Sequence, residues 1–259
     1  MFPDLNEVLR DLVEGVRPIL EEEGNFCGAY LQGSFAVGGA DVHSDVDFLV
    51  VVHDEVTPAQ ENRLRALHAR FPDSDVGWAQ HLEGSYVPKV ALQRVSTTRT
   101  PWLYVDNGSR VMERSDHDNT AVVRWVLHEH GVVLAGPAPA ELVDQVTATQ
   151  LRREVLGTIN EWAAQLRAEE DELDNAWKQP YVVTSYCRTL HTLAVGRVTS
   201  KVAALHWALG ALDAKWSRVI QHALDSRPDP WSRVHRPADP GTVHRTWAFI
   251  DHALAAASR

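Results

Sequence analysis

The chain begins with apolar residues at helical spacing. Apolar positions recur every three to four residues over residues 5–23, which predicts an amphipathic helix. Asp4 and Glu7 form a capping-box pattern at its start. Pro18 predicts a kink or an interruption near its end, because proline lacks the backbone N–H that a helix interior uses.

Shorter apolar, β-branched runs follow, and these are typical of strands. They predict strands near residues 26–33, 45–52 and 75–83, with a helix over residues 58–70. Farther along, residues 102–105 predict a short strand that a turn at 106–108 ends, and residues 121–129 predict a helix. This order indicates a small mixed sheet flanked by helices.

The pattern changes near residue 145. Glycine and proline between residues 134 and 140 predict an end to regular structure, and the proline-rich stretch 227–240 predicts a surface connection. Between and beyond these stretches we expect only helices, over residues 151–172, 182–195, 201–212, 216–224 and 243–257. The sequence therefore predicts an α+β fold, with an N-terminal mixed α/β domain over 1–145 and an all-α helical bundle over 146–259.

Composition narrows the classes of partner. The formal net charge of −10 argues against nucleic acid, whose binding needs clustered Lys and Arg, and it favours a cationic small molecule, although such a charge also simply keeps proteins soluble. No apolar run is long enough for a membrane span, and no signal peptide is evident, so we expect a cytoplasmic monomer with no membrane partner. Only Cys27 and Cys187 are present, which predicts neither a disulfide framework nor a zinc site.

The most informative segment joins the first two predicted strands. Gly33-Ser34 closes the first strand, and Asp45 and Asp47 open the second. Residues two apart in a strand point the same way, so the two carboxylates project together and repel each other. A divalent cation such as Mg²⁺ relieves that repulsion and commonly binds substrate phosphates as well. The alternative is that the two acids only cap a loop.

This segment resembles the signature of the nucleotidyltransferase superfamily, which is glycine-serine, a spacer and then D-x-D. Along nearly its full length the chain resembles the aminoglycoside O-adenylyltransferases of the streptomycin/spectinomycin type. The resemblance implies a nucleotidyltransferase domain followed by a helical domain, ATP as co-substrate and two Mg²⁺ ions held by Asp45 and Asp47. It also implies that Gly33 and Ser34 help to hold the nucleotide phosphates.

A general base is the next expected component. Glu83 is our candidate, since it ends the predicted strand 75–83, and Gly84 beside it would leave room for substrate. Asp73 and Asp75 are weaker rivals at the other end of that strand, and Glu83 could equally be an ordinary surface glutamate. The family has a third carboxylate on the equivalent strand, although the residues after Glu83 depart from the family pattern.

The helical domain supplies further expectations by the same resemblance. Arg188 and Lys201 lie in segments similar to those that carry an arginine and a lysine toward the nucleotide phosphates. Asp174 matches an acidic position that binds the cationic drug, whereas Lys178 stands at a second acidic position and Tyr181 at a histidine position. Independently of the resemblance, Trp102 is our candidate for stacking on adenine or on a sugar face, although we expect most of the tryptophans to lie in the core.

These expectations define one leading hypothesis and two rivals. The leading hypothesis is a Mg²⁺-dependent O-adenylyltransferase that transfers AMP from ATP to a hydroxyl of an aminoglycoside-like small molecule and releases pyrophosphate, which would confer antibiotic resistance. The first rival is a nucleotidyltransferase that acts on a non-antibiotic metabolite or on a protein side chain. The second is a non-catalytic, antitoxin-like nucleotide-binding module.

Overall fold

A computed structural model describes residues 3–41, 44–169, 172–226 and 236–258. Glu170 and Asp171 of the predicted helix 151–172, and most of the predicted connection 227–240, lie outside the described residues. The chain forms two compact units, one made of residues 1–38 and 44–146 and the other of residues 39–43 and 147–259. None of the helices described combines the length and the apolar character that crossing a membrane requires.

The first unit is built on a six-stranded mixed sheet. Its strands are β1 (Phe26–Leu31), β2 (Val46–Val52), β3 (Leu82–Pro88), β4 (Trp102–Val105), β5 (Met112–Ser115) and β6 (Val132–Ala135). They lie in the order β5-β4-β3-β2-β1-β6. Strands β2 and β3 are parallel, and the other neighbouring pairs are antiparallel. The predicted mixed sheet with flanking helices is confirmed.

In the described part of this unit five helices accompany the sheet: α1 (Pro3–Glu21), α2 (Gly33–Ala36), α3 (Pro58–His68), α4 (Lys89–Gln93) and α5 (Ala121–His130). The two faces of β2 belong to different parts of the core. Phe48 and Val50 are buried in a cluster with residues of α1, and Leu49 and Val51 are buried in a second cluster with a leucine of α5. Because side chains alternate along a strand, Asp47 lies on the same face as Leu49 and Val51.

The described residues of the second unit form α6 (Ala148–Ala168), α7 (Lys178–Val195), α8 (Lys201–Ala211), α9 (Ser217–Asp225) and α10 (Pro240–Ala257). Helix α7 packs against each of the other four, and its Tyr186 and Cys187 are fully buried. The predicted all-α character of this region is confirmed. Helix α7 begins four residues before the predicted start and includes Pro180, which is tolerated because the first turn of a helix needs no N–H at that position.

Several local predictions were wrong. Residues 77–81 form a 3₁₀ turn rather than a strand, and the strand begins only at Leu82. Helix α1 continues through Pro18 to Glu21, so this proline does not interrupt it. Asp4 lies inside the first turn of that helix rather than at its cap. Residues 132–135 form the edge strand β6, although we expected regular structure to end from residue 134 onward.

A buried histidine in the first unit leads to a prediction about acid stability. His68 is 1% exposed, stacks on Phe48 and forms a 2.7 Å hydrogen bond with the Tyr86 hydroxyl. Burial lowers the pKa of His68 to about 3. The unfolded chain therefore binds a proton below about pH 6.5 that the folded chain does not, and stability falls as the pH drops from there toward 3.

We expect this single site to reduce the free energy of unfolding by about 3 kcal/mol between pH 6.5 and pH 4, at 1.36 kcal/mol per pKa unit. H68Q should make the slope of stability against pH flatter, measured by urea unfolding at a series of pH values. H53Q is the matched control, since His53 is exposed, and it should leave the slope unchanged. Equal slopes for wild type and H68Q would contradict the prediction.

Candidate active site

The site is built on the parallel pair of strands. Asp47 of β2 and Glu83 of β3 are paired in register, so both side chains project from the same face of the sheet. Asp45 immediately precedes β2 and is two residues from Asp47. All three acidic residues are partly exposed at the end of β2 and β3 where both strands begin. The structure thus brings the three predicted acids to one edge.

Gly33 allows the turn after β1 to approach Asp47 closely. Its φ is +62°, and a Cβ at this position would lie 1.9 Å from Asp47 Oδ2. The backbone N–H of Gln32 donates to the Asp47 carbonyl at 2.8 Å, which holds the turn in place. Ser34 lies in α2, the short helix that begins at Gly33. The glycine is therefore required for both backbone conformation and space.

Asp45 is oriented by the turn that follows β4. Asn107 Nδ2 donates a hydrogen bond to Asp45 Oδ1. The amide oxygen of Asn107 lies 3.2 Å from Nδ1 of His81. Gly108, with a φ of +69°, completes the turn. The sequence predicted this turn, but its contact with Asp45 depends on the order of strands in the sheet.

Glu83 accepts two hydrogen bonds on one oxygen. The Tyr104 hydroxyl donates to Glu83 Oε1 at 2.7 Å, and His117 Nε2 lies 3.2 Å from the same atom. The hydrogen bond to Glu83 raises the pKa of His117 to about 9. Burial, followed by the charge of Glu83, raises the pKa of Tyr104 far above its ordinary value. At neutral pH both groups are therefore protonated donors.

A fourth acid lies beneath this cluster. Asp118 is 4% exposed and accepts a hydrogen bond from Ser85 Oγ at 2.7 Å. Burial raises the pKa of Asp118 to about 6, although hydrogen bonds from Ser85 and Gln32 and the charge of His117 oppose the shift. The sequence alone did not indicate Asp118, Tyr104 or His117 as parts of the site. His117 belongs to no recognised metal or catalytic pattern, and from the sequence we interpret it as a structural or exposed histidine.

The donor set suits a magnesium ion that is shared with a nucleotide. Mg²⁺ prefers oxygen ligands and commonly binds through one or two carboxylates, with water and substrate phosphates completing its octahedron. Asp45 and Asp47 supply two carboxylates on one face. Among the residues that the structure describes, no group of three or more His, Cys, Asp or Glu side chains is arranged to hold a metal ion.

Two expectations from the sequence need correction. Trp102 is 1% exposed and lies in the core, with the Arg124 guanidinium 5.3 Å from its ring centroid. Its ring has no face available for a substrate. Gly84 does not leave room for substrate either, because a Cβ there would lie 2.1 Å from the Phe48 carbonyl oxygen. Its role is close packing between β2 and β3.

The predicted phosphate-binding cations lie in the second unit. Arg188 is partly buried within α7. Lys201 is the first residue of α8, and the Ser200 hydroxyl caps that helix by accepting from the Ala203 N–H at 3.2 Å. A lysine in a first helical turn opposes the helix dipole by about 0.3–1 kcal/mol, and a bound anion would relieve that conflict.

The predicted acceptor residues lie before and at the start of α7. Asp174 is exposed and lines an open cavity of about 670 Å³ with His244 and Trp247 of α10. Tyr181 is 43% exposed and stacks on Trp177, with ring centroids 6.1 Å apart. The structure places Asp174 and Tyr181 in the same unit as Arg188 and Lys201.

Lys178 has its own acidic partner nearby. Its Nζ lies 2.5 Å from Glu172 Oε2, and both side chains are about one-third exposed or less. The positive charge at this position is therefore compensated within the unit.

A glycine turn packs against a D-x-D on a mixed sheet, with a third carboxylate on the adjacent parallel strand, which is the arrangement expected from the resemblance to nucleotidyltransferases. Comparison with known proteins narrows the class. The family described as "Aminoglycoside adenylyltransferase, C-terminal domain" matches residues 141–235. An aminoglycoside (3'') (9) adenylyltransferase from Klebsiella pneumoniae is 27% identical over 237 residues, which cover 84% of each chain. A spectinomycin 9-adenylyltransferase from Staphylococcus aureus is 24% identical over 198 residues, 71% of each chain.

The fold comparison agrees. The crystal structure of a spectinomycin adenyltransferase from Enterococcus faecialis, with ATP and spectinomycin, matches 98% of this chain and 99% of its own with a TM-score of 0.69 and 14% identity. At that identity the match concerns the fold alone. The family model and the sequence relatives support an aminoglycoside adenylyltransferase-type nucleotidyltransferase.

Proposed function

We propose that the chain is a Mg²⁺-dependent O-adenylyltransferase that transfers AMP from ATP to a hydroxyl of an aminoglycoside-like small molecule and releases pyrophosphate. The in-register pairing of Asp47 with Glu83, with Asp45 on the same face, is the observation that carries the proposal. This arrangement offers two carboxylates for a metal and a third for a proton at the same edge of the sheet.

The proposed roles follow from the chemistry of nucleotidyl transfer. The acceptor hydroxyl oxygen bonds to the α-phosphorus, the bond from that phosphorus to the β-phosphate oxygen breaks, and the hydroxyl proton passes to Glu83. Asp45 and Asp47 would hold two magnesium ions, which supply charge neutralisation at the phosphates when they are bound. Gly33 and Ser34 would hold the terminal phosphates through backbone amides and a hydroxyl.

We propose contacts to the nucleotide and to the acceptor for four residues of the second unit, from the charge or the exposure of their side chains. Arg188 and Lys201 would bind phosphate oxygens, since both are cations and Lys201 sits at a helix start that favours an anion. Asp174 and the exposed ring of Tyr181 would contact the acceptor, with charge attraction from the first and stacking from the second. Trp102 has no part in this proposal.

The acceptor class rests on the relatives, whose names describe aminoglycoside and spectinomycin adenylyltransferases. The net charge of −10 is consistent with a cationic acceptor. We propose that the protein acts as a cytoplasmic monomer on ATP and a small-molecule acceptor, without a nucleic-acid or membrane partner.

Mass spectrometry of the acceptor tests this directly. The purified chain is incubated with Mg²⁺, ATP and a panel of aminoglycosides that includes streptomycin and spectinomycin. We expect one acceptor to gain a single adenylyl unit, with pyrophosphate released in equal amount and no product in EDTA. Binding of nucleotide without modification of any acceptor in the panel would overturn the antibiotic part of the proposal.

Lys178 motivates a second candidate. Where the resembled family has an acid, this chain has a lysine paired with Glu172 at 2.5 Å, which weakens attraction for a polycationic acceptor. In this second candidate the same chemistry serves a metabolite or a protein side chain. Incubation with labelled ATP and a host extract separates these cases, because label on protein favours a protein acceptor and label on small molecules favours a metabolite.

A further inference from the structure

Two side chains near Glu83 have no role in the proposed reaction. The Tyr104 hydroxyl and His117 Nε2 both contact Glu83 Oε1, at 2.7 and 3.2 Å. A surface glutamate needs no such pair of protein donors, since water can solvate it. Two donors that meet at one oxygen restrict rotation of the carboxylate about its last bond.

We propose that Tyr104 and His117 are positioning residues that fix the Glu83 carboxylate in the orientation needed to accept the proton of the acceptor hydroxyl. This inference rests on the proposed function, in which Glu83 is the general base. Neither residue touches substrate in this scheme, and each acts only through Glu83.

Tyr104 is held rigidly by the sheet. It lies in β4, pairs with Ser85 of β3 and is 3% exposed. Its hydroxyl also lies 3.3 Å from Asp106 Oδ1, but a phenol has a single proton, and the shorter contact with Glu83 identifies the acceptor of that proton. Burial raises the pKa of Tyr104, so the phenol keeps its proton at neutral pH.

His117 is held by its neighbours although its side chain is 59% exposed. Its ring packs at a tilt on Tyr104, with centroids 5.3 Å apart. The next residue, Asp118, is buried and anchored by the Ser85 hydroxyl, which fixes the backbone beside the histidine. Strand β3 thus supplies Glu83 and, two residues later, the anchor for the segment that restrains Glu83.

The test compares Y104F, H117A and H117Q with wild type in single-turnover reactions, with the chain in excess over the acceptor that wild type modifies. Loss of one orienting contact is expected to lower the maximal rate by about 10- to 100-fold while the KM for ATP stays within about twofold. H117Q keeps an N–H donor, so it should recover most of the rate lost in H117A.

Matched controls separate positioning from structure. Y86F removes the same hydroxyl from a buried tyrosine that contacts His68 instead of Glu83, and H128A removes a histidine paired with Glu129. Both should keep the wild-type rate. Thermal unfolding should show that Y104F and H117A remain folded at the assay temperature.

The decisive measurement repeats Y104F and H117A in an E83Q background. If the two residues act through Glu83, they should cost nothing further once that carboxylate is gone. A full additional loss in E83Q, or a change confined to KM, would overturn the inference while wild-type AMP transfer still supported the proposed function. A wild-type chain that adenylates no acceptor would instead overturn the proposed function itself, and this inference with it.

Discussion

Replacing Asp47 by asparagine is expected to lower the maximal rate of AMP transfer by about 1,000-fold, since a metal contributes several kcal/mol of transition-state stabilisation and each 1.36 kcal/mol is a factor of ten. Asparagine has the same shape, so it fits against the turn at Gly33, but its amide carries no charge for magnesium. Single-turnover kinetics at saturating ATP and Mg²⁺ measure the rate. Calorimetry should show weaker magnesium-assisted nucleotide binding.

The control for D47N is D54N. Asp54 is exposed just beyond the other end of β2, so the change removes the same charge from the same unit without touching the site. We expect D54N to keep the wild-type rate. A D47N variant that retained a tenth or more of that rate would contradict the role proposed for Asp47.

Elements with strong local patterns were predicted correctly from the sequence. Helix α3 and strands β1, β2 and β4 were all expected close to their observed positions. Each carries its own signal, such as the apolar run over residues 48–52 of β2, all of which are buried. Such runs encode a buried strand whatever its neighbours are.

Elements that depend on distant partners were not predicted. Strand β5 has four residues of which only Met112 is buried, and strand β6 has two exposed valines. Short edge strands of this kind show no periodicity, because one neighbour and one half-covered face impose little pattern. The predicted strand 75–83 began too early in the chain, because the apolar residues Trp78 and Ala79 do not belong to strand β3. They pack from a 3₁₀ turn against the core.

In the candidate site, too, local sequence patterns could be recognised, whereas contacts between distant residues could not. Asp45 and Asp47 lie in one short motif, so the sequence alone could place them together. Tyr104, His117 and Asn107 reach the site only because β4 lies beside β3 in the sheet. The order of the strands in the sheet cannot be predicted from the spacing of residues in the sequence. The acids of the candidate site could therefore be predicted, whereas the groups that orient them could not.

Replacing Gly33 by alanine is expected to reduce AMP transfer by about 100-fold or more, because a displacement of about 1 Å in a reacting group has an effect of that size. The added Cβ would lie 1.9 Å from Asp47 Oδ2. Either the turn or the carboxylate must move, and both belong to the proposed nucleotide site. The φ of +62° adds backbone strain of about 1–2 kcal/mol in any residue that has a Cβ.

The control for G33A is G24A, which isolates the strain from the collision. Gly24 has a similar φ of +66°, lies in the turn after α1 and has no atom within 4 Å of the position that an added Cβ would take. By urea titration G24A should lose about 1–2 kcal/mol of unfolding free energy, because it places a side chain in the left-handed region. G33A should lose at least as much, since the collision with Asp47 adds to the same strain. Only G33A should lose transfer activity. Equal activities of G33A and G24A would show that the approach of Gly33 to Asp47 has no part in the reaction.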